Sequence, residues 1–266
     1  MLNGTIQAAP DPMHQFKVEW LFPEDQHWRI GDFNITPTNS ALWLVISLLL
    51  ILGFFAWALS RPQTVPSRKQ SLAEIWYGFV AGMVKDVNHE DGKPFVPLIF
   101  TLFSLIFVAN ILGMFSFPGL HTFTPMSHIA VTGVMAIFVF LLVIVIGIWK
   151  NGFKFLKIFV PSGVPGYILW FVVLIEIFSF FSRPLSLGMR LFANMLGGHV
   201  ALKVFASFVP QLIIGLGALG GVMALALVMP LLVSITALEL LVAFLQAYVF
   251  AILTCIYLND AIHPGH

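Results

Sequence analysis

Glu176, Arg190, His199 and Glu239 are ionisable side chains set within long apolar runs. A carboxyl or an imidazole in such surroundings can bind and release a proton, the basic requirement of a relay. An arginine cannot relay, because it keeps its charge at any relevant pH, but it can favour the ionised form of a carboxylate beside it. Glu176, Arg183 and Arg190 follow one another at intervals of seven. On a helix that spacing drifts only about 20° per step, so the three share a face. Asn194 lies one turn beyond Arg190 on the same side. His199 points the opposite way, with Lys203 one turn after it, so one helix carries two polar faces. Glu239 and Gln246 repeat the interval of seven, and Glu239 is the one charge between Lys203 and Asp260.

Each residue also has a plainer reading. Arg190 could snorkel to an interface, although the apolar run that follows it reaches to Pro210. His199 could be a hydrogen-bonded packing histidine, Glu239 a structural hydrogen-bonding group, and Lys203 a snorkelling lysine near Pro210. Asn110 sits mid-span and would bond to water or to another helix. His121 reads as a solvated loop residue and His128 as an interfacial residue at a helix start. Gly215, Gly217, Gly220 and Gly221 suit close helix packing, or a turn after Pro210-Gln211.

The elements that must hold these groups follow from composition. The chain is 59% hydrophobic and 9% charged, against roughly 25% charged for soluble domains. No charge occurs between Asp32 and Arg61, between Lys93 and Lys150, or between Lys203 and Glu239. Lipid must therefore be the main solvent. The net charge of +1 offers nothing to nucleic acid, and the single cysteine, Cys255, excludes an internal disulfide and a cysteine-based zinc site. No cofactor or metal is expected. Residues 1–40 are polar, lack the features of a cleavable signal, and are expected outside the membrane. Spans are expected at 41–60, 97–117 and 128–149. Residues 68–90, with Leu72, Ile75, Trp76, Phe79 and Met83 at helical spacing, read as an amphipathic interfacial helix.

The lysines and arginines after the first and third spans place those connections in the cytoplasm, and the uncharged 118–127 connection outside. The N-terminus is then outside and the C-terminus cytoplasmic. Residues 166–209 and 212–258 are each too long for one perpendicular crossing of a core about 30 Å thick. Each either breaks, near Pro184 or Pro230, into two spans or is one strongly inclined helix.

The run Ser182-Arg183-Pro184-Leu185-Ser186-Leu187-Gly188-Met189-Arg190-Leu191-Phe192-Ala193-Asn194-Met195 closely resembles the signature of the F-type ATP synthase subunit a family. Leu245-Gln246-Ala247-Tyr248-Val249-Phe250 resembles its second signature. The resemblance extends over most of the chain. It implies an all-α polytopic membrane protein of about five crossings plus the interfacial helix, the last two crossings being a long, strongly tilted hairpin beside a ring of rotor c-subunits. It implies that Arg190 faces the carboxylate of each passing c-subunit, with Gln246 beside it and Asn194 on the same surface. Glu176, His199 and Glu239 would line two aqueous half-channels, with Asn110, His128 and Tyr248 as further candidates. Some relatives carry an acid at the position of Gly113, and some bacterial members exchange the imidazole and the acid. Mitochondrial and alphaproteobacterial members share the present arrangement. The implied partners are the c-ring, peripheral-stalk b subunits, other ATP synthase subunits, protons and lipid, in a bacterial inner membrane.

ATP chemistry itself has no place in this chain, which lacks a phosphate loop. An ion-coupled secondary transporter is the main alternative; it would show internal repeat symmetry, which is not seen. A haem protein would want facing histidine pairs, for which His128 and His199 are the available candidates, and a serine protease would want a convincing serine–histidine motif.

Overall fold

A polar side chain closes the first turn of two of the helices. The Thr38 hydroxyl accepts from the Ala41 amide, and the Ser67 hydroxyl from the Gln70 amide. The computed structural model describes residues 20, 29–30, 33–34, 36–114, 124–160 and 166–263. Most of the polar segment 1–40, the end of the expected second span at 115–117, and His121 lie outside the described residues. The described residues are all-α apart from a two-residue ladder, in which β1 (Arg29–Ile30) pairs antiparallel with β2 (Phe33–Asn34), and a bridge between Trp20 and Thr38.

The helices are α1 (Asn39–Ala58), α2 (Arg68–Asn88), α3 (Val96–Met114), α4 (Ile129–Asn151), α5 (Gly166–Leu216), α6 (Ala218–Met223) and α7 (Met229–Ile262). Among the described residues five helical stretches are long and apolar enough to cross a membrane: α1, α2 with α3, α4, α5, and α6 with α7. A 3₁₀ turn, His89–Phe95, joins α2 to α3. On α2 the buried line runs through Ala73, Val80, Met83 and Val84. Of the apolar positions expected to define its face, Met83 is buried and Trp76 half-buried, Leu72 and Ile75 point outward, and Phe79 is partly exposed but turns its ring against α3 and α7.

The core lies where α3 meets α7 and where α4 meets α5. Ala243, Ala247 and Ala251 recur every four residues along α7 and are fully buried. Their small size lets α3 approach with Ile99, Ile106 and Ala109. On the other side Gly188 of α5 lies so close to α4 that a Cβ there would be 3.2 Å from the Thr132 carbonyl oxygen. Rings from four helices lock α1, α2, α3 and α7 together: Phe55 meets Trp76 and Phe100, and Phe79 and Phe103 both meet Phe244.

Neither proline breaks its stretch. α5 continues through Pro184 and Pro210 for 51 residues, about 75 Å of helix at 1.5 Å per residue. Pro230 falls at the second residue of α7, directly after a π-helical turn at Ala224–Val228 that absorbs the interruption of the hydrogen-bond ladder. The hairpin turn comes at Gly217 (φ 58°), seven residues beyond Pro210. The left-handed backbone at Gly217 favours glycine, and Gly220 packs directly on the Leu212 carbonyl of α5.

A side chain at Gly220 must push the hairpin arms apart, whereas Gly215 faces open space. Gly220→Val is expected to destabilise the solubilised protein by about 1–3 kcal/mol, and Gly215→Ala to stay within about 1 kcal/mol of the parent. Thermal unfolding of both variants side by side distinguishes the two positions.

Candidate functional site

α5 is long enough to hold three separate polar stations. Taking 1.5 Å per residue, Arg190 stands about 21 Å along the axis from Glu176 and about 14 Å from His199. The first station is an ionic clasp between α5 and α7. Arg183 places Nη1 3.0 Å from Asp260 Oδ2 and Nη2 3.6 Å from Glu176 Oε1. Its guanidinium also lies over the rings of Phe180 (5.6 Å) and Tyr257 (5.1 Å). This station sits at the end of α7 where Asn151 Nδ2 donates to the Ala261 and Ile262 carbonyls (2.7 and 3.0 Å). Nearby in the same end layer, Asp91 lies 3.1 Å from His263 Nε2 and 4.0 Å from Lys150 Nζ.

The third station is a cavity of about 210 Å³ between α3, α5 and α7. Asn194, Gly198, His199 and Glu239 line it, with an apolar wall of Met114, Met195, Leu238 and Val242. Such a volume has room for several waters. Glu239 is 6% exposed, and neither of its carboxylate oxygens has a hydrogen-bond partner in the protein. A carboxyl so placed is uncompensated unless water in the cavity hydrogen-bonds it. Gly198 makes the space for it: a Cβ at that position would be 2.5 Å from Glu239 Oε1. Across the cavity, His199 Nε2 is 3.1 Å from the Thr124 hydroxyl. The Thr124 side chain in turn fills the volume over Gly113, where any Cβ would meet it. This station therefore adjoins the α3–α4 connection, at the opposite end of the bundle from Asp260.

Between the two lies Arg190. It is exposed, its one side-chain hydrogen bond is a long 3.4 Å contact to the Ser186 hydroxyl, and among the described residues no carboxylate lies within ion-pair distance of it. Asn194 is exposed on the same helix. Leu185 and Met189 of α5, and Leu238, Leu241 and Leu245 of α7, are exposed apolar groups. A fixed positive charge with no carboxylate beside it among the described residues is costly in lipid unless water or another charge compensates it.

The remaining sequence candidates fall in different places. Asn110 is fully buried and donates to the Ala243 carbonyl at 3.4 Å, its Oδ1 unpaired. Gln246 is 6% exposed on α7, two turns from Glu239. His128 is half-buried at the start of α4, where its carbonyl accepts from the Thr132 hydroxyl. Tyr248 packs its ring against Phe79 at 6.0 Å. Lys203 is exposed. Sequence reasoning passed over Thr124, Gly198 and Asp260. Asp260 was the most legible of these, an acid near the end of an apolar helix; a threonine hydroxyl and a glycine carry no comparable signal.

The ATP synthase A chain family matches residues 41–259 of this chain. The chain is 53% identical over 265 residues to ATP synthase subunit a of Maricaulis maris (strain MCS10), covering 97% of this chain and 100% of that one. It is 52% identical to ATP synthase subunit a of Chelativorans sp. (strain BNC1), again over 97% and 100%. To the protein of the same name from Bradyrhizobium diazoefficiens it is 54% identical, over 96% of this chain and 99% of the relative.

Gly198→Ala tests whether the cavity matters. The added methyl displaces the Glu239 carboxyl without touching Arg190. Proton flux through reconstituted complexes carrying the variant is expected to fall several-fold, with complex yield unchanged.

Proposed function

Because the chain belongs to the ATP synthase A chain family, and is thus the non-catalytic, proton-translocating stator subunit of an F-type ATP synthase rather than a secondary transporter, we propose that its three polar stations form the proton path. The cavity around Glu239, His199 and Asn194 is the half-channel open to the outer side. Glu176, held with Asp260 by Arg183, marks the half-channel open to the cytoplasm. Arg190 stands between them. The observation that carries this reading is the exposed Arg190 guanidinium, without a carboxylate partner among the described residues and with a polar station on either side of it along one helix.

On this reading the missing negative charge belongs to a ring of c-subunits passing across α5 and α7. The flanking surface suits such a partner. Only 6% of the apolar window of α5 is buried within the chain, against 44% for that of α2 with α3. A proton arriving by Asn194, His199 and Glu239 neutralises a rotor carboxylate, which can then face lipid without the penalty of a buried charge. After nearly a full turn the carboxyl reaches the Glu176 side and releases its proton to the cytoplasm. Arg190 stabilises the ionised carboxylate as it passes and repels a proton attempting to cross directly. Each proton moved through 100 mV supplies about 2.3 kcal/mol, and the offset between the half-channels turns that energy into rotation.

The orientation follows from charge. Lys150, Lys154 and Lys157, with Arg61, Arg68, Lys69, Lys85 and Lys93, support a cytoplasmic position for the Asp260 end. The Thr124 end then faces the periplasm of a bacterial inner membrane. α2 lies with Leu72 and Ile75 toward the lipid interface. α5, at about 75 Å, must run steeply inclined across a core about 30 Å thick. Peripheral-stalk b subunits complete the stator.

Arg190→Ala in the assembled synthase is expected to abolish ATP-driven acidification of vesicles while leaving ATP hydrolysis by the soluble sector measurable. Coupled pumping that survives the substitution rejects the assigned role.

A further inference from the structure

Beyond α4 the chain turns at Gly152 (φ 53°) and continues as a 3₁₀ helix, Gly152–Phe159. With three residues per turn, positions i and i+3 eclipse, so such a segment presents three straight ridges. Phe155 and Ile158 form the first. Phe155 is buried beneath Gly147 and meets the Phe180 ring at 6.4 Å. Phe153 and Leu156 form the second, 95% and 58% exposed. Lys154 and Lys157 form the third, both exposed, and among the described residues no carboxylate lies within ion-pair distance of either. No acid occurs in the sequence between Lys150 and Glu176. Trp149, 88% exposed, stands just before the turn.

These three ridges ask for three different surroundings. A segment bathed in water gains nothing by exposing Trp149 and Phe153, and one sunk among acyl chains would not carry two unpaired lysines. We propose that residues 149–160 form a binding strip for anionic phospholipid. Lys154 and Lys157 engage the phosphate oxygens of acidic headgroups, and Trp149, Phe153 and Leu156 enter the acyl boundary of the same leaflet. The first ridge fixes the strip to α4 and α5, so the lipid is held at the end of the bundle that carries the Arg183 clasp. The charge complementarity selects acidic lipid over zwitterionic lipid, and none of these residues belongs to the proton stations.

Cys255, the only cysteine, is buried, so Leu156→Cys gives a single accessible labelling site on the strip. An environment-sensitive fluorophore is attached there in the assembled synthase, reconstituted with trace doxyl-labelled phosphatidylglycerol or doxyl-labelled phosphatidylcholine. Quenching by the phosphatidylglycerol probe is expected to exceed that by the phosphatidylcholine probe several-fold. The preference should disappear in Lys154→Gln/Lys157→Gln and persist in Lys154→Arg/Lys157→Arg. Equal quenching by the two probes, or a preference untouched by the glutamine pair, overturns the proposal. Absence of quenching by either probe also overturns it and assigns the strip to a polypeptide neighbour.

Discussion

A guanidinium cannot shed its charge, and no carboxylate among the described residues comes within ion-pair distance of Arg190. A permanent cation on an apolar face is tolerable only if something outside the chain compensates it. The contrast with Arg183, seven residues earlier on the same helix, makes the point. Arg183 is satisfied twice over by acids, Glu176 and Asp260, and twice by aromatic rings, Phe180 and Tyr257. One arginine closes the fold and the other leaves it open. The architecture follows from keeping Arg190 open while isolating the two ends of α5 from each other.

Isolation is achieved with length and small residues. A single helix of 51 residues spaces the stations along one rigid axis. Glycine and alanine then control what can come near it. Gly188 brings α4 against α5 close to Arg190, and Gly198 lets the Glu239 carboxyl reach the α5 surface. Ala243 and Ala247 seat α3 against α7, which puts Asn110 onto the Ala243 carbonyl. The polar groups are thus reached through gaps that backbone geometry sets, and bulk at any of these positions changes the spacing.

Much of this was legible in the chain itself because charge is costly in lipid. The charge-free runs marked the helices, and the seven-residue interval put Glu176, Arg183 and Arg190 on one face. The structure then divided that face, pairing Glu176 with Arg183 and leaving Arg190 alone, a division no spacing could reveal. Pro184 and Pro230 were ambiguous for a physical reason. A proline removes one amide hydrogen bond whether the helix ends or merely bends, and the difference lies in tertiary support and in the π turn before Pro230. Gln246 belongs to the second signature, yet its burial depends on how α7 is rotated against α3, which sequence periodicity leaves open on a helix apolar all round. Thr124 was illegible because its importance is a relation to His199, far along the chain.

Thr124 and Gly113 together occupy one volume. The threonine methyl and hydroxyl lie where any side chain at 113 would begin, and the same hydroxyl contacts His199. An acid introduced at 113 therefore evicts Thr124, and His199 loses its neighbour in the same event. The three positions form a coupled set, in which a carboxylate can replace the hydroxyl beside the imidazole only by a concerted exchange. Divergence among such proteins should cross this point in jumps rather than single steps, with intermediates that are either crowded or hollow.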